Sequence, residues 1–339
     1  MVFRYANALA EEGWTVNVVM PSDANPTAFW PRTARRGRYW LSRFCGWYSP
    51  RRWMKLHAAV KLVWVPTLDS SSYLPSADAV VATAVRTAEA VASWPRKAGR
   101  KFYFVQGFET WDFPVERVIA SWRLPLTKIA VSRWLLDLMA AAGERGFYLP
   151  NSLDQIAFGV DVPPEARHAP TVLWPHHSLP TKGSGDAIAA LRRVHRDIGE
   201  LKAQSFGTAH APDAAPLRVE YFRNPPQAHL RRLYNKAAVV IAPSHAEGWG
   251  LPACEALQCG CALAASDIGG HQEFLRHEQN ALLHQPGDVA ALHANVLRLL
   301  GDPTLRLRLV RQGLADMAEL KISTAVARLK SILQPEEQK

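Results

Sequence analysis

Short apolar runs alternate with amphipathic stretches along the first half of this chain. Residues 2–13 carry apolar side chains at helical spacing, and 15–20 has the pattern of a strand. Further strands are predicted at 61–65, 79–82, 101–105 and 127–131, and further helices at 85–93 and 132–142. This alternation favours a parallel sheet with helices packed on its faces.

A second series of strands and helices follows a cluster of prolines. Pro163, Pro164 and Pro170 predict a linker near 162–170. Beyond it, strands are predicted at 171–174, 237–242 and 261–265, and helices at 290–300, 304–317 and 322–333. A chain of 339 residues with 48% hydrophobic content is long enough for two α/β domains. The predicted organisation is domain 1–165, domain 166–320, and a terminal helix and tail at 321–339.

One stretch, PSHAEGWGLPACEALQCG at 243–260, carries most of the chemistry. It follows the predicted strand 237–242 and reads as a loop that leads into a helix. Gly248 and Gly250 allow a ligand to approach the backbone closely, and Pro252 suits the first turn of a helix. Bare amides at a helix start attract an anion. Glu247 and Glu255 bracket the loop and could accept hydrogen bonds from sugar hydroxyls, so the stretch predicts a nucleotide-sugar site.

The whole string resembles the donor-binding core of the retaining glycosyltransferases of family four. The similarity continues in order through Asp267-Ile-Gly-Gly, Glu273, Asn280-Ala-Leu-Leu and Pro286-Gly-Asp288. The resemblance implies the GT-B architecture, in which two Rossmann-like domains face each other across a cleft. It also implies that the last helix, predicted at 322–333, crosses back to the N-terminal domain.

The resemblance also implies site residues. Lys182 stands in a loop that reaches the diphosphate, and His177 takes the position where the family usually has an arginine. Glu109 and Asp112 lie in a loop that would face the acceptor. The implied catalytic residues are Glu247, Lys182, Glu109 and Asp112. The implied donor-binding residues are Glu255, Gly248, Trp249, Gly250, Leu251, His177 and Lys182.

The reaction implied by this resemblance is sugar transfer with retention of configuration. The donor would be a nucleotide-diphosphate sugar, and the acceptor a saccharide or lipid-linked saccharide in surface polysaccharide synthesis. Neither a metal nor another cofactor is expected. Two alternatives stay open: a nucleotide-sugar-binding GT-B protein without transferase activity, and a nucleotide-sugar epimerase.

The beginning of the chain departs from the family pattern. Members ordinarily start with a strand and a glycine-rich loop ahead of the first helix, whereas Met1 already lies at the start of the predicted helix. Either the true start lies upstream, or the protein lacks a central strand and an acceptor-side loop.

Charge is concentrated in one segment. The chain has a formal net charge of +10, and nine lysines and arginines fall between Ala24 and Leu68, where no acidic residue occurs. Within 29–55 the arginines alternate with tryptophan, tyrosine and phenylalanine. This mixture favours a segment that lies on an anionic membrane surface, although a solvated insertion is the alternative. No nucleic-acid module is recognisable, so nucleic acid is not an expected partner.

The remaining composition predicts an intracellular protein. No run approaches the roughly 20 apolar residues that a membrane helix needs, and no signal peptide is evident. The expected location is the cytoplasm, with peripheral attachment to the inner face of the membrane. Four cysteines, Cys45, Cys254, Cys259 and Cys261, lack metal-ligand spacing and are expected to be reduced.

Overall fold

The computed structural model describes residues 1–21, 37, 40–41, 44, 49–52, 54–153, 157–167 and 170–334. The chain divides into two compact units. The first contains Met1–Val131, Leu135–Pro150 and Ile322–Lys339, and the second contains Ser132–Trp134 and Asn151–Lys321.

The first unit opens with helix α1, Val2–Glu11, which buries Tyr5, Ala6, Leu9 and Ala10 on one face. Gly13, at a φ of +87°, turns the chain after the helix. Strand β1, Val16–Pro21, then pairs in parallel with β2, Val60–Val65. Ala6 and Ala10 pack on Val60, so the periodicity at 2–13 reflects a helix covering this two-stranded sheet.

The other strands described in the first unit form a second, four-stranded parallel sheet. It runs in the order β3 (Ala79–Ala82), β4 (Arg100–Val105), β5 (Thr127–Ala130) and β6 (Phe147–Tyr148). Its helices are α2 (Val85–Ser93), α3 (Val115–Trp122) and α4 (Arg133–Ala141), of which α4 belongs to this unit from Leu135 onward. The prediction of parallel strands is confirmed. The described strands nevertheless form two sheets, where a Rossmann-like domain has one continuous sheet.

The terminal helix, Ile322–Leu333, belongs to the first unit although it follows the whole of the second in sequence. It buries Ala325, Val326, Leu329 and Leu333. The Arg100 guanidinium donates to the Leu333 carbonyl at the end of the helix, and Lys330 pairs with Glu12. A cation at the last carbonyls of a helix is favourably placed for the helix dipole.

The second unit is built on one six-stranded parallel sheet in the order β12-β11-β10-β7-β8-β9. The strands are β7 (Thr171–His176), β8 (Lys202–Gly207), β9 (Val219–Arg223), β10 (Val239–Ala242), β11 (Ala262–Ser266) and β12 (Leu282–His284). The helices are α5 (Ser184–Ile198), α6 (Gln227–Lys236), α7 (Leu251–Gln258), α8 (Val289–Gly301) and α9 (Pro303–Ala318). Strands β7, β10 and β11 are almost entirely apolar and buried, as expected for a sheet covered on both faces.

Arg167, in the segment that leads into β7, is a buried arginine. Its guanidinium donates to the carbonyls of Val162 at 2.9 Å, and of Tyr234 and Ala237 at 3.3 Å each. It also donates to the carbonyl of Cys259, just after helix α7. The charge is thus surrounded by carbonyl dipoles, which accounts for an arginine in the interior.

Cys254, Cys259 and Cys261 are buried, and among the residues described none of them forms a disulfide. Burial raises the pKa of Cys261 to about 11, which keeps that thiol protonated at neutral pH. Cys45 lies outside the described residues.

Most of the basic segment 29–55 also lies outside the described residues. In the described part, Trp40 and Phe44 are 52% and 76% exposed and stack with ring centroids 5.7 Å apart. The guanidinium of Arg51 donates to the carbonyls of Leu56 and Val60, at 3.5 and 3.1 Å. Within the described ranges, every helix falls short of the length and apolarity needed to cross a bilayer.

Candidate functional site

Two loops of the second unit meet because their strands are neighbours. Strands β7 and β10 pair in parallel, so the chain leaves both at the same edge of the sheet, the edge where open α/β sheets bind ligands. The His245 amide donates to the Thr181 carbonyl at 2.8 Å and joins the loops. Gly183, at a φ of +63°, lies so close that a Cβ there would be 1.9 Å from the Pro243 carbonyl oxygen. Glycine is therefore required for this approach.

The loops bring Lys182 and Glu247 into contact. The Lys182 ammonium lies 2.8 Å from Glu247 Oε1, and the Ser244 hydroxyl donates to the same oxygen at 2.9 Å. The two charged side chains are 30% and 19% exposed, so they are half-buried yet accessible from solvent. Two residues predicted from separate motifs therefore form one ion pair, in which the charge of the lysine is compensated.

His177 is fixed by the loop that contains it. Its Nδ1 accepts a hydrogen bond from the Leu179 amide at 3.0 Å, and its main chain exchanges hydrogen bonds with the Ser184 hydroxyl. Because Nδ1 acts as the acceptor, the neutral ring carries its proton on Nε2. His177 can thus offer one N–H donor, whereas an arginine would offer a forked cation.

The glycine loop begins helix α7. Gly250, at a φ of +99°, is the residue before the helix, and a Cβ there would lie 2.4 Å from the ring of His271. The helix begins at Leu251, and the first N–H groups of any helix lack intrahelical partners. The Gly248 carbonyl accepts a hydrogen bond from the Trp134 indole at 3.3 Å. The loop is thus closely packed against His271 and Trp134. The N-terminus of helix α7, which follows the loop, is suited to bind an anion.

The side chain of Trp249 faces the interior. It is 3% exposed, stacks on Phe274 with ring centroids 5.4 Å apart, and directs its indole N–H toward the sulfur of Cys254. Its predicted part in donor binding is therefore limited to its main chain.

Glu255 lies inside helix α7 and is 9% exposed. The Tyr234 hydroxyl donates to its Oε2 at 3.4 Å. Burial, with the charge of Glu255 second, raises the pKa of Tyr234 well above its ordinary value, so the phenol keeps the proton that it donates. A carboxylate has about four lone-pair sites, so one that accepts from a hydroxyl can also accept from a ligand.

His271 is a further buried residue of this site that the sequence did not single out. It is 1% exposed, and its Nδ1 lies 2.8 Å from the Ser266 carbonyl, to which it donates. Burial lowers the pKa of this imidazole, so the ring is neutral. Its ring packs directly against the backbone of Gly250. The Gly269-Gly270 pair that precedes His271 could have indicated a closely packed position in the sequence, because glycine allows close approach of the backbone.

The two residues predicted to face the acceptor, Glu109 and Asp112, are in the first unit. Glu109 is 8% exposed, and both of its carboxylate oxygens lie 3.2 Å from the Val85 amide at the start of helix α2. Burial raises the pKa of the Glu109 carboxyl, and Tyr103 also reaches it at 3.5 Å. Asp112 is exposed. Glu109 thus caps a helix, while Asp112 faces solvent.

Across the described residues, no group of three or more histidine, cysteine, aspartate or glutamate side chains is arranged to hold a metal ion.

Comparisons with known proteins show which family and fold this chain is similar to. The family described as Glycosyl transferases group 1 matches residues 215–315. Glycogen synthase of Mycobacterium tuberculosis is 35% identical over 161 residues, which cover 44% of this chain and 39% of that protein. D-inositol 3-phosphate glycosyltransferase of Acidothermus cellulolyticus is 35% identical over 125 residues, 37% of this chain and 24% of that protein. The matches thus span well under half of these relatives.

Solved structures extend the similarity to the fold. Sucrose-phosphate synthase of Thermosynechococcus elongatus superposes with a TM-score of 0.69 and 17% identity, covering 98% of this chain and 91% of that one. Anabaena HepE, solved in complex with UDP and glucose, gives a TM-score of 0.68 and 16% identity, covering 81% of this chain and 85% of that one. Residues 215–315 are therefore similar to the glycosyl transferases group 1 family, and the fold is GT-B.

Proposed function

We propose that this protein transfers a sugar from a nucleotide-diphosphate sugar to a saccharide or lipid-linked saccharide, with retention of configuration, in surface polysaccharide synthesis. The observation that carries the proposal is the Lys182–Glu247 pair, 2.8 Å apart, beside a glycine loop at a helix start. A cation for the diphosphate and an acceptor for the sugar thus lie side by side. The UDP and glucose bound to Anabaena HepE support a donor of this class.

Each site residue has a role in this proposal. The leaving nucleoside diphosphate gains negative charge, which Lys182 and the amides of 248–251 would stabilise. The Nε2–H of His177 would add one hydrogen bond. Glu255 would accept from the ribose hydroxyls and Glu247 from the donor sugar. The acceptor would attack beside the departing phosphate, on the face it leaves, so no metal and no covalent enzyme intermediate is required.

A second candidate is a nucleotide-sugar-binding protein without transferase activity. Two observations favour it. His177 offers a single N–H where the family has an arginine, and the charge of Lys182 is compensated by Glu247. Both features reduce the positive charge that is available to stabilise the leaving diphosphate. Because the diphosphate gains negative charge in the transition state, a weaker positive charge slows transfer more than it weakens binding.

The central experiment is calorimetry with UDP and GDP on the wild type and on Glu255→Ala. Hydrogen bonds to a charged acceptor contribute about 1.5–3 kcal/mol, so the variant should bind about 10- to 150-fold more weakly. Glu200→Ala, an exposed position in the same unit, is the matched control and should bind like the wild type. Unchanged affinity in a folded Glu255→Ala variant would remove the ribose assignment.

Incubation with labelled nucleotide sugars and a lipid-linked acceptor separates the candidate functions. Transfer of label to the acceptor supports the transferase. A donor that is bound but unchanged supports the binding protein, and an epimerised donor supports neither.

We further propose that the basic segment 29–55 attaches the protein to the inner, anionic face of the membrane. The exposed, stacked Trp40 and Phe44 support this, because aromatic rings settle at the lipid interface. Each basic residue near an anionic surface contributes on the order of 1 kcal/mol, and the attraction is screened by salt. Binding to anionic vesicles should therefore weaken as salt rises.

The variant for this test is Arg35→Ser with Arg36→Ser, two positions outside the described residues. Arg51 is a poor choice because it holds two backbone carbonyls. Cosedimentation should show the double variant released from anionic vesicles, with its nucleotide affinity unchanged. Salt-independent binding to neutral lipid would contradict the proposal.

A further inference from the structure

Residues Ser132–Trp134 belong to the second unit and are held by it at two points, one of which is the glycine loop. The first is Trp134, whose indole N–H donates to the Gly248 carbonyl at 3.3 Å. Its ring also covers Gly269, where a Cβ would lie 2.5 Å from the indole. The ring therefore packs directly on the glycine backbone.

The second point is Glu273, whose side chain is 4% exposed. One of its carboxylate oxygens accepts from the Arg133 amide, and the other lies 3.1 Å from the Arg133 guanidinium. A carboxylate beside a main-chain amide and a guanidinium is favourable, and here it holds Arg133. Trp134 is thus oriented by its neighbour as well as by its own contacts.

The hydrogen bond to Gly248 has a geometric consequence for the loop. In a trans peptide the C=O and the following N–H point in opposite directions. Holding the Gly248 carbonyl toward the indole therefore directs the Trp249 N–H away from it. The orientation of the Gly248–Trp249 peptide therefore influences the direction in which the chain continues through Gly250 into the first turn of α7.

We propose that Trp134 is a positioning residue for the donor loop. By holding the Gly248 carbonyl, it fixes the peptide ahead of α7 and so orients the amides of 248–251 toward the diphosphate of the donor. This inference rests on the proposed function, because the ligand is the nucleoside diphosphate of that donor. It assigns Trp134 no contact with the donor itself.

The test is Trp134→Phe, which keeps an aromatic ring beside Gly269 and removes the N–H together with part of the indole ring. The matched control is Trp94→Phe in the first unit, where the indole donates to the Leu68 carbonyl at 2.9 Å. Both variants lose one indole-to-carbonyl hydrogen bond, so both should lose similar stability. Only Trp134→Phe should bind UDP or GDP more weakly, by about 3- to 10-fold, when measured by calorimetry.

A second measurement does not depend on ligand binding. Hydrogen exchange of the amides in 248–251 should be faster in Trp134→Phe than in the wild type, and unchanged in Trp94→Phe. Wild-type protein that binds neither nucleotide would count against the proposed function, and the exchange result would then decide the role of Trp134. Trp134→Phe with wild-type affinity in a binding-competent protein, or with wild-type exchange in the loop, overturns the inference.

Discussion

Lys182 meets a carboxylate before any substrate arrives. The pair is partly exposed, and such pairs contribute about 0.2–1 kcal/mol, so a diphosphate with more negative charge can displace Glu247 from the lysine. The same contact keeps the Glu247 carboxylate beside the position expected for the sugar.

We predict opposite effects of Glu247→Gln on binding and on turnover. Glutamine keeps an oxygen for the Ser244 hydroxyl but frees the charge of Lys182 and removes repulsion of the diphosphate. Affinity for UDP or GDP should rise about 2- to 5-fold, the order of magnitude of a partly exposed pair, while sugar transfer falls. Calorimetry and a transfer assay measure the two effects. Weaker nucleotide binding would show that Glu247 does not compete for the lysine.

Glu247 and Glu255 were found because they lie inside a motif, whereas Trp134 was missed because it lies outside one. Glu247 and Glu255 stand in one string of letters, so their proximity follows from the string. Trp134 reaches Gly248 across 114 residues of sequence, and no local pattern predicts that contact. Glu109 shows the converse: its position after a strand suggested chemistry, but burial and the start of helix α2 give it a structural partner.

At the scale of elements, two glycines near the start of helix α5 allow a matched comparison. Gly183→Ala would place a Cβ 1.9 Å from the Pro243 carbonyl oxygen, at a φ of +63°. Gly185→Ala meets nothing within 4 Å and lies inside the helix.

We therefore predict that Gly183→Ala destabilises the protein by about 2 kcal/mol or more and weakens nucleotide binding, because the two loops are pushed apart. Gly185→Ala should be neutral or stabilising by up to about 1 kcal/mol, since alanine favours helix. Urea unfolding and calorimetry on both variants provide the measurement. Equal stability of the two variants would mean that the close approach at Gly183 is easily relaxed.

The elements that were predicted well have a clear apolar period. The predicted strand at 79–82 and the helices at 85–93 and 322–333 coincide with Ala79–Ala82, Val85–Ser93 and Ile322–Leu333. Strand β8, Lys202–Gly207, was missed because Gln204 and Ser205 are polar yet buried. Helix α6, Gln227–Lys236, was missed because most of its residues are polar and only one side packs on the core. Neighbouring elements, rather than local periodicity, decide such segments.

For the molecule as a whole, the second unit should lose stability in mild acid. His284, at the end of β12, is 6% exposed, and burial lowers its pKa to about 4. Its Nδ1 has no hydrogen-bond partner within the part of the chain that the structure describes. The folded protein therefore disfavours the charged imidazole, which the unfolded chain accepts near pH 6.5.

The sign follows from the lowered pKa. The contribution of His284 is complete above pH 6.5 and is lost as the pH falls toward 4. At pH 5 the free energy of unfolding should be lower by about 2 kcal/mol than at pH 7, because the pKa of His284 is lower in the folded protein than in the unfolded chain. Urea unfolding of the wild type and of His284→Gln at pH 7 and 5 tests this, because the stability difference between them should shrink by about that amount. Parallel pH profiles would exclude His284 as the titrating group.

The buried Arg167 has a consequence for cutting the chain into pieces. The first strand of the second unit begins at Thr171, but a fragment starting there would lack the guanidinium that satisfies carbonyls of Tyr234, Ala237 and Cys259. Leu153 also forms a bridge with Lys321, at the other end of the unit. The shortest autonomous piece should therefore be 151–321, which begins ahead of the predicted linker at 162–170. Removing the proline-rich segment 162–170 would remove Arg167, whose guanidinium binds the Cys259 carbonyl at the end of the helix that contains Glu255.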